Sequence, residues 1–369
     1  MKYYIIAGEA SGDLHGANLI KALHRLDDEA EVRAWGGELM IAAGAEVVKH
    51  YRDLAFMGFL EVAMNLRTIK KNFDYCKKDI LKFNPDTVIF VDYPGFNLRM
   101  AKWAKENKFR TQYYISPTIW AWNTGRVHKV KAYVDQMFTI LPFENKFYEK
   151  YDYPAQYVGH PLLDAVEQSN FQNISKATGK KTVALLPGSR KQELDKILPV
   201  VAEVVKQSPQ YHFILAAVPW LDKSIYEQYF GQAAANLQIE INKTYDVLAS
   251  ADMGIITSGT ATLETALFNV PQVVIYKTSF ITYTLAKRFA KVKHISLPNL
   301  ILEEGLVEEL IQEDCTPDQL LTSLKALESS ERATIIKDGY QRLHAKLGDA
   351  GASQRVAQAI YEDVKRNVG

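Results

Sequence analysis

The chain has 369 residues, 47% of them hydrophobic and 24% charged, with a formal net charge of +1. This length exceeds the usual single-domain size of roughly 100 to 150 residues, so two domains are expected, and the composition excludes a disordered chain. Balanced charge excludes a global field that would gather nucleic acid; the two cysteines, Cys76 and Cys315, are far apart without CxxC or Cys/His spacing, indicate neither a zinc site nor a disulfide framework, and fit a reducing cytoplasm.

The opening segment MKYYIIAGEASGD has an apolar run shorter than the ~7 residues of a signal-peptide core. Nowhere do ~18 consecutive apolar residues predict a transmembrane helix. Short apolar runs at 3–7, 32–35, 87–91, 112–115 and 136–140 predict strands, with helical patterns between them. Such alternation predicts a parallel sheet covered by helices on both faces, an α/β domain of Rossmann-like, doubly wound type. A second series at 182–186, 212–216, 253–257 and 272–276 predicts a second domain of the same kind. The linker is placed near residues 159–180, giving domains at 1–160 and 161–345. After about residue 316 the chain turns helical, ending in an amphipathic helix at 352–367 with Ser353 as a plausible cap, able to complete either domain.

In open parallel sheets ligands gather outside the carboxyl ends of the strands, so the loops that follow strands are the candidates. The first is AGEASGDLHG, with Gly8, Gly12 and Gly16 allowing close backbone approach before a helix near Asp13. It is neither GxGxxG nor a Walker loop, Ser11 or Asp13 could simply cap a tight turn, and Glu9, Asp13 and His15 lack metal-ligand spacing. The strand at 87–91 stops on Asp92 of VDYPGFN, where the aspartate either shapes the Tyr-Pro-Gly turn or carries chemistry. In YYISPTIWAWNTGR, Trp120 and Trp122 are core aromatics or a ligand wall beside Arg126.

In the second half, LLPGSRKQE places Pro187 and Gly188 at a turn, with Ser189 opening a helix and Arg190 beside it. Free amides, the positive helix end and a guanidinium make an anion site suited to a diphosphate. TSGTATLE repeats the arrangement: Ser258, Gly259 and Thr260 could hold phosphate, and Glu264, read in the first helical turn, could accept ribose hydroxyls. This half reads as a nucleotide domain that needs no metal.

The strings AGEASGD, VDYPGFN, YYISPTIWAW, LPGSR, SGTATLE and SLPNLI stand in an order that resembles the lipid-A-disaccharide synthases. The resemblance implies a GT-B fold, two Rossmann-like domains facing a cleft, and an inverting transfer from UDP-2,3-diacylglucosamine to 2,3-diacylglucosamine 1-phosphate with release of UDP. It implies a catalytic Asp92 and UDP-sugar contacts from Arg190, Glu264 and Asn299; the reading of the loops adds Ser189, Ser258, Gly259 and Thr260 to that site, and Gly8, Glu9, Ser11, Gly12, Asp13, Trp120 and Arg126 as an acceptor side. No cofactor or metal is expected. Where many members carry a second aspartate this chain has Gly95, which leaves Asp92 the better single carboxylate of that loop.

Acylated substrates imply a protein of the cytoplasm, peripherally bound to the inner membrane, with a homodimer as an open possibility. Phe56, Met57, Phe59 and Leu60 beside Lys70 and Lys71 are the candidate interfacial surface, or else one buried face of a helix. Lys287, Arg288, Lys291 and Lys293 are a solvated face or a phosphate patch. Rival readings are a UDP-sugar 2-epimerase on the same fold and a silent nucleotide-binding scaffold; a serine hydrolase lacks its GxSxG elbow.

Overall fold

The computed structural model describes residues 1–54, 66–174, 179–231, 235–279, 283 and 292–368. Phe56, Met57, Phe59, Leu60, Lys287, Arg288 and Lys291 therefore lie outside the described residues. Two compact units are present, Met1–Asp164 with Asp349–Gly369, and Ala165–Gly348.

The first unit is built on seven parallel strands: β1 (Lys2–Ala7), β2 (Glu31–Gly36), β3 (Glu46–His50), β4 (Thr87–Val91), β5 (Arg110–Tyr114), β6 (Gln136–Thr139) and β7 (Gln156–Tyr157), in the order β3-β2-β1-β4-β5-β6-β7. Strand pleating sends alternate side chains to opposite faces. Tyr3, Ile5 and Ala7 of β1 join one core with Leu19, Ile20 and Leu23, while Tyr4 and Ile6 join the other with Trp35, Ile80 and Phe90. Both faces are buried, as a parallel sheet requires.

The last helix, Ala352–Val368, belongs to this unit through Val356, Ile360 and Val364, which pack into the core beneath β1. Its Asp363 accepts Arg110 Nε and Nη2 at 2.7 Å each and Gln112 Nε2 at 2.7 Å. Ser353 does not supply the cap expected of it; Asp164 does, accepting the amides of Gly351, Ala352 and Ser353. The linker expected at 159–180 likewise begins with a helix, Pro161–Glu167, on which Asp164 lies.

The second unit has six parallel strands: β8 (Thr182–Leu186), β9 (His212–Ala217), β10 (Leu237–Ile241), β11 (Met253–Thr257), β12 (Gln272–Tyr276) and β13 (Glu308–Ile311), ordered β10-β9-β8-β11-β12-β13. The helix Lys191–Gln207 buries Leu194, Ile197, Leu198, Val201, Val204 and Val205, the stripe that a 3.6-residue period puts on one face. Four strands, β3, β7, β10 and β13, were not expected, and they are the four sheet edges.

Candidate active site

In the first sheet the chain runs from β1 outward to β3, then returns to β4 and runs the other way to β7. The reversal falls between β1 and β4, the position outside the strand ends at which open parallel sheets bind their ligands. Ala7 pairs with Val91 at the ends of these strands, so Gly8 and Glu9 emerge beside Asp92 and Tyr93.

Asp92 and Tyr93 both adopt left-handed backbone, with φ of 45° and 47°. Such a conformation costs an ordinary residue of order 1 to 3 kcal/mol and persists only where surrounding contacts fix it. Here the Asp92 amide donates to the Tyr114 carbonyl at 3.0 Å, and its own carbonyl accepts Tyr113 Oη at 2.6 Å and Asn97 Nδ2 at 2.8 Å. Pro94 then starts the helix Pro94–Glu106, its fixed φ suiting a first helical position. The Tyr93 ring lies so close to Gly8 that a Cβ there would sit 2.3 Å from Tyr93 Cδ1, so only glycine fits.

Asp92 is half-buried. Burial first, and the charge of Glu9 second, push its carboxyl up to about 6. A carboxylate with that affinity can take a proton near neutral pH. Gly95 is exposed, and no described residue comes within 4 Å of where a Cβ would stand, so none of them forbids a side chain. The second carboxylate near Asp92 comes from the neighbouring loop, as Glu9.

The helix after β1 starts at Ala10, earlier than expected, with Glu9 at its cap position and Ser11 exposed in its first turn. Gly12 packs against the strand end, where a Cβ would meet Ala7 Cβ at 3.1 Å. Asp13 is corrected from an acceptor contact to a structural group. It is 2% exposed, and its oxygens accept the amides of Gly37 at 2.7 Å, Leu39 at 3.1 Å and Met40 at 3.1 Å, capping the helix Glu38–Ala42. The two tryptophans separate. Trp120 is half-buried, its indole N–H donating to Glu144 Oε1 at 3.0 Å. Trp122 is exposed, with the Arg126 guanidinium 4.8 Å from its ring centre. Glu144 also accepts the amides of Ile140 and Leu141, and burial pushes its carboxyl up to about 7.

The second sheet reverses between β8 and β11, and the LPGSR and SGTATLE loops follow these two strands. Gly188 at φ 109° and Gly259 at φ 142° hold conformations that side chains resist. The helix after β8 begins at Lys191 with Arg190 in the cap position, so Ser189 precedes the helix rather than opening it. The Arg190 side chain makes no capping hydrogen bond to the helix, and its guanidinium is exposed, 3.6 Å from Glu193. Thr260 begins the helix Thr260–Leu267 and is exposed.

Three expectations change here. Ser258 gives its hydroxyl to the Ile295 carbonyl at 2.8 Å, anchoring that segment. Glu264 lies in the second helical turn, so it does not serve the positive helix end; it accepts Tyr245 Oη at 3.2 Å, and burial pushes its carboxyl up. Asn299 is 1% exposed and its amide is fully engaged: Oδ1 accepts Val307 N at 2.9 Å, and Nδ2 donates to Val307 O at 2.8 Å and Glu309 Oε1 at 2.9 Å. It ties the helix Leu297–Leu302 to β13 and is not a surface contact.

The structure adds residues to which the sequence drew no attention. A cleft of about 350 Å³ beside Glu264 is lined by Phe171, Asn242, Lys243, Tyr245 and Asp246. Their only sequence signal is the polar Asn-Lys-Thr after a weak strand. Trp220, 63% exposed, donates its indole N–H to the Ser189 carbonyl at 3.3 Å.

A profile of the lipid-A-disaccharide synthetase family matches residues 3–362. The lipid-A-disaccharide synthase of Trichlorobacter lovleyi is 37% identical over 373 residues, covering 98% of this chain and 97% of the relative. Among solved structures, the glycotransferase of kitacinnamycin superposes with a TM-score of 0.68 at 14% identity, covering 98% of each chain. The UDP-GlcNAc 2-epimerase of Neisseria meningitidis, solved with UDP-GlcNAc, superposes with a TM-score of 0.67 at 12% identity over 98% of this chain and 100% of that one. At such identities the two structures show a shared fold and no shared reaction. The sequence relationship reaches further: with two Rossmann-like sheets in the GT-B manner and the family profile spanning nearly its whole length, the chain belongs to the lipid-A-disaccharide synthase family of glycosyltransferases.

Proposed function

We propose that this glycosyltransferase moves 2,3-diacylglucosamine from its UDP derivative to the 6-hydroxyl of 2,3-diacylglucosamine 1-phosphate, inverting the anomeric carbon and releasing UDP. The observation that carries the mechanism is Asp92, held in a left-handed turn at the β1/β4 reversal with its carboxyl raised to about 6. Asp92 accepts the proton of the 6-hydroxyl as that oxygen bonds to the donor's anomeric carbon. The bond from that carbon to the β-phosphate oxygen breaks with its electron pair, and the charge on UDP is stabilised by Arg190 and the amides following it. No metal enters this scheme.

Glu264 accepts the ribose hydroxyls, and the cleft beside it, with Asn242 and Tyr245, takes the base. Glu9 and the Trp122–Arg126 pair serve the acceptor, the guanidinium facing its phosphate. Acceptance of acylated sugars implies work at a membrane surface. No helix among the described residues is long and apolar enough to cross a bilayer. The helix Leu66–Phe83 exposes Arg67, Lys70, Lys71, Lys78 and Lys82, which suits a peripheral contact with anionic lipid.

The deciding experiment incubates purified protein with both acylated sugars and reads the product by mass spectrometry. Acceptor-dependent disaccharide is expected. Release of UDP without disaccharide, or turnover of the UDP-sugar with no acceptor, would contradict the reading.

A further inference from the structure

The left-handed turn at Asp92 takes its carbonyl off the line of β4, and two buried side chains from different elements converge on that one oxygen. Tyr113 stands on β5 and is wholly buried. Asn97 stands in the first turn of Pro94–Glu106 and is wholly buried too. A carbonyl oxygen has two lone pairs, and here each receives a donor. Asn97 Nδ2 also lies 3.3 Å from both the Ile6 and Val91 carbonyls, near the ends of the two strands that flank the reversal. Its amide thus joins β1, β4 and the turn between strand and helix at a single point.

We propose that Tyr113 and Asn97 are positioning residues for transfer: by holding the Asp92 carbonyl they fix the left-handed backbone that aims the Asp92 carboxylate. Neither side chain is placed to touch substrate, since both are buried beneath the loop. The geometry explains why two aromatic and amide donors are spent on the main chain of a loop residue. A buried hydrogen bond to a carbonyl adds little to folding, but two on one oxygen hold a backbone conformation that the chain would otherwise leave. Displacement of a reacting group by about 1 Å can cost on the order of a hundredfold in rate. The inference rests on the reading of Asp92 as the proton acceptor, and its test separates the two.

Tyr113→Phe removes one donor and no bulk, so it is the primary variant; Asn97→Ser is the second, in case one of the two folds poorly. The test is a double-mutant cycle with Asp92→Asn, read as single-turnover disaccharide formation by mass spectrometry, with calorimetric UDP affinity and a thermal melt alongside. If the two residues act through Asp92, Tyr113→Phe lowers the rate about tenfold or more in the native background and less than about twofold when Asp92→Asn is present, the signature of coupled sites. UDP affinity and the KM for the UDP-sugar stay unchanged, which a general loss of structure would not allow. A second readout is the acid limb of the pH–rate profile. Among the described residues, the titratable groups facing Asp92 are Glu9 on the loop after β1, the adjacent Tyr93 and Tyr113 itself. A carboxylate released from its buried position beside Glu9 titrates lower, so the limb moves to lower pH in Tyr113→Phe. The proposal is overturned if Tyr113→Phe and Asn97→Ser leave the rate within about twofold, or if their effect is the same size with and without the Asp92 carboxylate. Near-native turnover by Asp92→Asn alone would instead remove the underlying reading.

Discussion

At the scale of single residues, Asp92 shows how a fold can hold a group in a state that does not favour folding. Its ordinary value of 3.8 rises to about 6 in the native structure. The folded chain therefore binds more protons than the unfolded one between these values, and stability falls as pH rises through that window. Above about 6 the loss is complete. Asp92→Asn removes the ionisation, so this variant should melt at a higher temperature than the native protein at pH 8 and lose that advantage at pH 4, as scanning calorimetry would show. For a group proposed to act in catalysis, such a gain is the expected trade between stability and activity. Asp92 stood out in VDYPGFN as a candidate, but its conformation did not, since positive φ at two consecutive non-glycine residues has no compositional signal. Nor was the pairing with Glu9, which depends on β1 lying beside β4 in the register that aligns Ala7 with Val91. Polar residues of a motif are equally ambiguous: Asn299 and Asp13 have the chemistry of ligand contacts and spend it inside the protein.

At the scale of elements, the interior strands were legible and the edges were not. β4, β8 and β11 are buried along their whole length, and burial on both faces writes a continuous apolar run. β3 and β10 are mostly half-exposed, so Glu46 and Lys49, or Gln238 and Glu240, break the run. The start of a helix is as hard to read, because Asp164, a residue distant in sequence, caps the last helix and makes Ser353 unnecessary. Asp164→Ala should lower stability by about 1 to 2 kcal/mol, as loss of a cap does, measured by urea denaturation. Asn299→Ala should cost more, since it leaves both polar groups of Val307 without partners at about 1 to 3 kcal/mol each. A change below about 0.5 kcal/mol for Asn299→Ala would contradict its structural assignment and return it to the ligand-binding set.

At the scale of the whole molecule, each unit repeats one solution. A parallel sheet reverses its strand order once, and the loops beside the reversal hold the groups proposed for chemistry: Glu9 and Asp92 in the first unit, Arg190 and Thr260 in the second. This recurrence was half visible in sequence, where motifs followed strands, but strand order is a property of space and had to be seen. The proposed division of labour between the units predicts separable effects. Arg190→Ala and Glu264→Ala should each weaken UDP binding about tenfold or more by calorimetry, the scale of one charge-assisted contact, and Asp92→Asn should leave it unchanged. Unaltered affinity in both second-unit variants would remove the nucleotide site proposed for them. If Asp92 accepts the proton of the attacking hydroxyl, Asp92→Asn under saturating substrates forms disaccharide at least about a hundredfold more slowly than the native enzyme; turnover close to native would show that it does not.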